Sequence, residues 1–300
     1  MKCIICGSEN IETVDTVISD FVMDRITDDF RPDCGMNRPV KLCFCRDCTF
    51  AFYDHRITDE ECDRLYDKYR GPEYQKTREK HECWYTEKVN RALNEDELGL
   101  REQKRVINEI VKKNVDHELR VSLDYGGNEG RTYFKRIGTK ERYVFDISGI
   151  PTIKGVKGIS DFDELRKHEY DFIMCNHLFE HLAEPVEMLE RIGSLGNKDT
   201  IFYIEVPSEN PFTGRNKFSL TKNLRMLADP LFNNIRLATY YLKKRRSPFM
   251  PMNEHINFYT VRSMRKLVES SGFEVIDIEE NIERTCLGEQ TVLSVLFRRK

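Results

Sequence analysis

From residue 119 onward, short β-prone apolar runs alternate with stretches of helical period, and this alternation limits the possible folds more than any other feature of the chain. Residues 120–124 read as a strand entering a glycine-rich turn that should open a helix, and residues 142–146 and 170–175 read as further strands. A helix after the third run places Leu182, Val186, Leu189 and Ile192 on one face, and residues 200–206 form the next strand. Such a pattern implies an α/β fold with a mostly parallel sheet covered by helices on both sides. A helix over residues 261–271 and Gly272 lead into two antiparallel strands, 273–279 and 291–298. The rhythm breaks over residues 208–253, which are rich in Asn, Arg, Lys and Phe and are read as an inserted cap.

The first 48 residues hold six of the ten cysteines: Cys3, Cys6, Cys34, Cys43, Cys45 and Cys48. Cys3-x-x-Cys6 and Cys45-x-x-Cys48 are two knuckle-type pairs that match a tetrahedral zinc ion. Cys43 competes with Cys45, whose spacing is the better one, and Cys34 is the next alternative. Buried free thiols are the plainer reading. Four protein ligands leave no open position, so such a zinc is structural and supplies folding energy to a small module. Residues 1–75 are therefore read as a zinc-binding module, 76–118 as a helical connector and 119–300 as the main domain carrying the 208–253 insertion. Thr58 and Glu61 have capping-box spacing, and Val106, Ile107, Ile110 and Val111 recur at helical spacing in the connector.

A net charge of −3 gives no global basic excess, so nucleic acid is not expected as a partner. No apolar run is long enough to span a bilayer, and the first residues lack a signal-peptide core; a cytoplasmic protein with no membrane partner is expected. Oligomeric state is not legible.

The turn Asp124-Tyr125-Gly126-Gly127-Asn128-Glu129-Gly130 follows a strand, and its glycines allow close approach of backbone to a ligand. Asp146 ends the next strand, where a carboxylate accepts hydrogen bonds from ribose hydroxyls. The turn lacks the G-x-G-x-x-G fingerprint of nicotinamide enzymes, having Asn128 two residues after Gly126.

The order of these segments resembles the class I S-adenosylmethionine-dependent methyltransferases over roughly residues 119 to 300. The turn looks like that family's D-x-G-x-G-x-G, with Asn128 where many members have glycine; Asn tolerates a left-handed backbone. The resemblance implies a Rossmann-like methyltransferase sheet with an antiparallel last strand, and a cofactor held by Asp124, Tyr125, Gly126, Gly127, Asn128 and Gly130. It further implies that Asp146 holds the ribose with Ile147 beside it at the cofactor, Asp161 and Phe162 lie beside the adenine, and Asn176 and His177 line the site. The run Asn176-His177-Leu178-Phe179-Glu180-His181-Leu182 resembles the family's E-H-hydrophobic motif, and Glu254-His255-Ile256-Asn257-Phe258 resembles its late H-x-x-F segment. CxxC pairs ahead of such a domain are similar to bacterial sugar and natural-product methyltransferases with a zinc-binding head.

Methyl transfer to a hydroxyl benefits from a general base, and histidine suits that task near neutral pH. His181, one helical turn beyond His177, and His255, at the exit of the insertion, are the candidates; each also has a structural reading, as a helix brace or as the insertion's stem. The run His177-x-x-Glu180-His181 resembles a divalent-ion motif with its first carboxylate replaced by imidazole, and no catalytic metal is expected. Arg215, Lys217, Lys222, Arg225, Arg236 and residues 243–246 form a local basic enrichment, read either as recognition of a phosphate-bearing acceptor or as a solvated helix face. The expected activity is methylation of a hydroxyl on a small polar acceptor, a sugar or phosphorylated saccharide in surface-glycan or natural-product synthesis as the resemblance implies. RNA or protein methylation, and a non-catalytic cofactor-binding scaffold, are the alternatives.

Overall fold

The computed structural model describes residues 1–28, 39–147, 150–213 and 250–300. The N-terminal part runs β1 (Ile11–Val17), α1 (Asp20–Ile26), β2 (Pro39–Cys45), β3 (Ala51–Tyr53), α2 (Asp59–Tyr66), α3 (Pro72–His81), α4 (Glu87–Asn94) and α5 (Glu97–Asn114). The remainder runs β4 (Leu119–Tyr125), β5 (Ile137–Phe145), β6 (Lys157–Ile159), α6 (Phe162–Leu165), β7 (Phe172–Asn176), α7 (Pro185–Gly193) and β8 (Ile201–Pro207). It ends with β9 (Asn257–Phe258), α8 (Val261–Ser270), β10 (Phe273–Thr285) and β11 (Gly288–Arg299).

Seven strands form the main sheet in the order β10-β11-β8-β7-β4-β5-β6. Strands β6, β5, β4, β7 and β8 pair in parallel. Strand β11 is antiparallel to both β8 and β10, so the last strand runs against the rest, as expected. The chain order steps outward from β4 to β6 and then returns to the other side of β4 with β7. This reversal creates a crevice at the carboxyl ends of β4 and β7, where open α/β sheets bind ligands.

Helices cover both faces because each presents one apolar stripe. Val106, Ile107, Ile110 and Val111 of α5 are fully buried, and Ile107, Ile110 and Val111 pack with Phe172, Met174, Tyr203 and Leu296. On the opposite face, Leu189 and Ile192 of α7 and Met264, Leu267 and Val268 of α8 join Leu123, Ile173, Ile204 and Phe297. Each such side chain contributes about 1.5–3 kcal/mol by leaving water. The capping box at Thr58 and Glu61 is present on α2.

A second sheet, β1-β2-β3-β9, is antiparallel throughout. Its last strand comes from late in the chain: Ala51 pairs with Phe258 and Phe52 with Asn257. The cysteine knuckles share a core with this junction, since Cys3, Cys45, Cys48, Phe50 and Phe52 cluster with Tyr259 and Met264.

Several expectations need correction. No helix follows the Asp124–Gly130 turn; residues 126–136 are turns and irregular backbone, and β5 begins at Ile137, too soon for a helix to fit. That stretch is instead pinned by Tyr133, whose hydroxyl donates to the carbonyls of Ser122 and Tyr143. Leu182 lies ahead of α7, which starts at Pro185, because Pro is favoured at a first helical turn. Residues 177–181 are therefore not helical, and His177 and His181 do not share a helix face. The closing strands β10 and β11 are longer than expected because they continue past the sheet as a two-stranded hairpin. The basic residues of the insertion lie outside the described residues, as does Cys34. Among the described residues, no helix is long and apolar enough to cross a membrane.

Candidate functional site

The four thiols of the paired knuckles converge. Cys3 and Cys48 Sγ lie 3.5 Å apart, as do Cys6 and Cys45 Sγ, and all four sulfurs fall within 4.8 Å of one another. Tetrahedral zinc with bonds of about 2.3 Å requires sulfurs about 3.8 Å apart, so the cluster fits the ion. Each knuckle turns on a left-handed residue after its second cysteine, Gly7 (φ 71°) and Thr49 (φ 64°). Cys43 points elsewhere, with its Sγ against Met1 Sδ, which removes it from the competition with Cys45. Thr49 ties the knuckle to the main domain: its hydroxyl meets that of Thr260 at 2.6 Å, and its carbonyl accepts from Asn210 Nδ2 at 2.9 Å.

At the end of β4 the chain turns through Gly126 (φ 79°), Asn128 (φ 51°) and Gly130 (φ 77°). Asn128 occupies the left-handed region that its side chain tolerates. A Cβ on Gly127 would lie 2.3 Å from Asp124 Cγ, so the backbone is held against the carboxylate. Asp124 is completely buried, and burial pushes its carboxyl up to about 7 against the pull of nearby Thr132 and Asn176. Neither carboxylate oxygen of Asp124 and neither amide atom of Asn176 makes a hydrogen bond at ordinary geometry. Buried polar atoms left without partners call for a ligand or water. Asp146 Oδ2 accepts from the Asn128 amide at 2.8 Å, which locks the turn to the end of β5. Ile147 beside it is 74% exposed. Asp161 caps α6, and Phe162 stands edge-on to Phe145 at 6.3 Å, with Tyr125 tilted on Phe145 at 4.7 Å. An aromatic wall thus borders the turn. The sequence-derived residues Asp124, Tyr125, Asn128, Asp146, Phe162 and Asn176 gather around the carboxyl ends of β4, β5 and β7.

His177 follows β7 in a left-handed conformation (φ 50°), with carboxylates on two sides of its ring. Nδ1 lies 3.4 Å from Glu180 and Nε2 lies 3.6 Å from Glu205. Burial works against a positive ring, but Glu180 and then Glu205 raise His177 to about 9. His181 is bound differently. Its Nδ1 lies 2.9 Å from the Glu254 carbonyl oxygen and 2.8 Å from the Tyr66 hydroxyl. A carbonyl can only accept, so Nδ1 carries the proton and Nε2 keeps the lone pair. Burial holds the His181 ring below the ordinary histidine range, which favours that neutral form. The His255 ring stands edge-on to His181 at 4.8 Å and meets Glu209 through Nδ1 at 3.1 Å. The two candidate bases are thus brought together, at the crevice end of β7.

The residue 77–278 segment matches the family profile described as a methyltransferase domain. This chain belongs to that family. The methyltransferase is also similar in fold to a magnesium protoporphyrin IX methyltransferase from Synechocystis PCC 6803, at 14% identity over 69% of this chain and 86% of that one, with a TM-score of 0.42. It is similar to a 1,6-didemethyltoxoflavin-N1-methyltransferase from Burkholderia thailandensis at 13% identity, over 90% and 98% of the two chains, with a TM-score of 0.47. A mitomycin 7-O-methyltransferase matches at 15% identity, over 67% and 54%, with a TM-score of 0.39. A comparison with curated proteins finds no match.

Sequence reasoning missed the residues that hold the methyltransferase's two histidine-bearing segments together. Arg56 donates to the carbonyls of Leu182 and Ala183 and to Asn257 Oδ1, at 2.7–3.0 Å. Glu254 accepts from Tyr74 and from Arg78 Nη1, the latter at 2.8 Å, and Arg78 is itself stacked near Phe21, Trp84 and Tyr85. Glu205 was read only as part of a strand. A charged residue inside an otherwise apolar strand was the available signal.

Proposed function

We propose that this methyltransferase uses S-adenosylmethionine to methylate a hydroxyl of a small polar acceptor, with His181 Nε2 as general base. The observation that carries the reading is the pinned tautomer of His181: Nδ1–H is held by the Glu254 carbonyl, and the free lone pair sits at the ligand edge of the sheet. When bound, the cofactor supplies a methyl group already activated by its sulfonium. The residues that would hold it are the Asp124–Gly130 turn, Asp146, the Phe162 side of the aromatic wall and Asn176. The unpartnered buried atoms of Asp124 and Asn176 suit a polar ligand. His181 takes the acceptor's proton at Nε2, and the imidazolium so formed is stabilised by Glu180, 3.8 Å away. The His255 ring packs edge-on against the His181 ring. The leading acceptor class is a sugar or phosphorylated saccharide; the sugar rests on the family resemblance alone, and the local basic enrichment of the insertion, read from sequence, speaks only for a phosphate group. The zinc head, expected to span residues 1–75, acts as a structural support.

The test is direct. The protein is incubated with methyl-labelled cofactor and a panel of sugar phosphates and free sugars, and labelled products are mapped by mass spectrometry. Label on a saccharide oxygen supports the reading. Label found only on nitrogen or carbon, or only on RNA or protein, replaces it. Calorimetry with S-adenosylhomocysteine separates these outcomes from a scaffold that binds no cofactor.

A further inference from the structure

Beside the candidate active site lies a second cluster. His177, Glu205 and Glu283 bring one ring nitrogen and two carboxylate oxygens within 4.8 Å of one another. They come from the residue just past β7, from β8 beside it, and from the long hairpin strand β10, which β11 separates from β8 in the sheet. Glu205 and Glu283 are buried, at 0% and 2% exposure, whereas the His177 ring keeps an open edge at 32%.

Each of the three side chains has its outer atom engaged and its inner atom turned to the centre. His177 presents Nδ1 to Glu180 at 3.4 Å, leaving Nε2 facing Glu205. Glu205 Oε2 accepts from Tyr203, and from Ser294 at 3.3 Å; its Oε1 takes a long 3.4 Å contact from Gln103 Nε2 and faces His177 Nε2 at 3.6 Å. Glu283 Oε2 accepts from Gln290 Nε2 at 3.0 Å, while the buried Oε1 has no hydrogen-bond partner. Ligating histidines usually donate their second N–H to a carboxylate, and ligating carboxylates are in turn held by outer hydrogen bonds. An unpartnered, fully buried carboxylate oxygen completes the pattern.

We propose that His177 Nε2, Glu205 and Glu283 bind one divalent first-row transition ion, separate from the zinc of the cysteine cluster. One imidazole and two carboxylates favour ions of the manganese, iron, cobalt and zinc class over soft-ligand metals. A dication at the centre balances the charge of the two carboxylates. Three protein ligands leave at least one position for water or an acceptor oxygen, on the open His177 side. The site shares only His177 with the His177-x-x-Glu180-His181 run, and it rests on none of the reasoning about the acceptor.

Zinc-loaded protein is titrated with Co²⁺ and followed by visible absorption and elemental analysis. A second ion per chain is expected, with ligand-field bands and no thiolate charge-transfer band. Glu283→Gln and His177→Gln should each weaken that binding by about tenfold or more, and His255→Gln should leave it unchanged. His177→Gln, on the exposed edge, serves if the buried glutamate variant fails to fold. No second ion at millimolar cobalt, a second ion with thiolate bands, binding that survives both Glu283→Gln and His177→Gln, or binding lost in His255→Gln would each overturn the proposal.

Discussion

His181 Nδ1 sits 2.9 Å from the carbonyl oxygen of Glu254, so the residue just before one candidate base fixes the tautomer of the other. The carboxylate of the same Glu254 is gripped by Tyr74 and Arg78. Backbone and side chain of one residue therefore couple the helical N-terminal region to the imidazole expected to carry the proton.

His181→Gln should slow single-turnover methyl transfer by about a hundredfold or more at saturating cofactor, with cofactor affinity changed only a few-fold. Because burial lowers the His181 pKa, the neutral base is present through neutral pH, and turnover should fall only on the acid side, below the ordinary histidine range. A pH profile of kcat/KM checks this. An acid limb at or above the ordinary value, or equal loss of binding and turnover, assigns the ring to the pocket wall.

Arg78→Met should destabilise the fold by about 3–5 kcal/mol, because it leaves the Glu254 and Glu82 carboxylates buried without their cation. The double variant Arg78→Met, Glu254→Gln should recover part of that loss. Urea unfolding of the two variants measures both. A single variant within 1 kcal/mol of the parent, in the same assay, removes the network from the stability account.

Asp124 has a folded-state pKa near 7, above its unfolded value, so its buried carboxyl favours folding while protonated. The unfolded chain ionises first as pH rises, and stability drains away between the two values. Asp124→Asn should therefore raise the melting temperature of the cofactor-free protein at pH 8 and leave it nearly unchanged at pH 4. Thermal scans at the two pH values decide it.

Protein purified without added metal should carry one tightly held zinc on Cys3, Cys6, Cys45 and Cys48. Cys48→Ser should lose it and lower the melting temperature, because metal binding energy is folding energy in a module this small. A fully folded N-terminal region with no metal by elemental analysis sinks this assignment.

Local features were the legible ones. Thr58 and Glu61, each Cys-x-x-Cys pair taken singly and the Asp124 turn work through neighbours within a few residues, so spacing announces them; the meeting of the two cysteine pairs across about forty residues was inferred from their matching spacing. The missing helix after Gly130 was not legible, because it depends on how early β5 must start to pair with β4 and on Tyr133 reaching the Ser122 and Tyr143 carbonyls. Pairings such as Arg56 with Leu182 and Asn257, or His177 with Glu205, join residues far apart in the chain, and periodicity carries no information about them. His181 and His255 were singled out separately, and only the folded chain shows their rings in contact.

The two-residue strand β9 has a consequence for how the chain is made. Its partner β3 is synthesised early, but Asn257 and Phe258 emerge from the ribosome about 10–40 s later at about 5–20 residues per second. During that interval the free edge of β3 has no mate, and an exposed strand edge invites pairing with other chains. A zinc ion captured early by the knuckles would hold that edge in a defined shape until the late strand arrives, and metal supply during translation would then bear on yield.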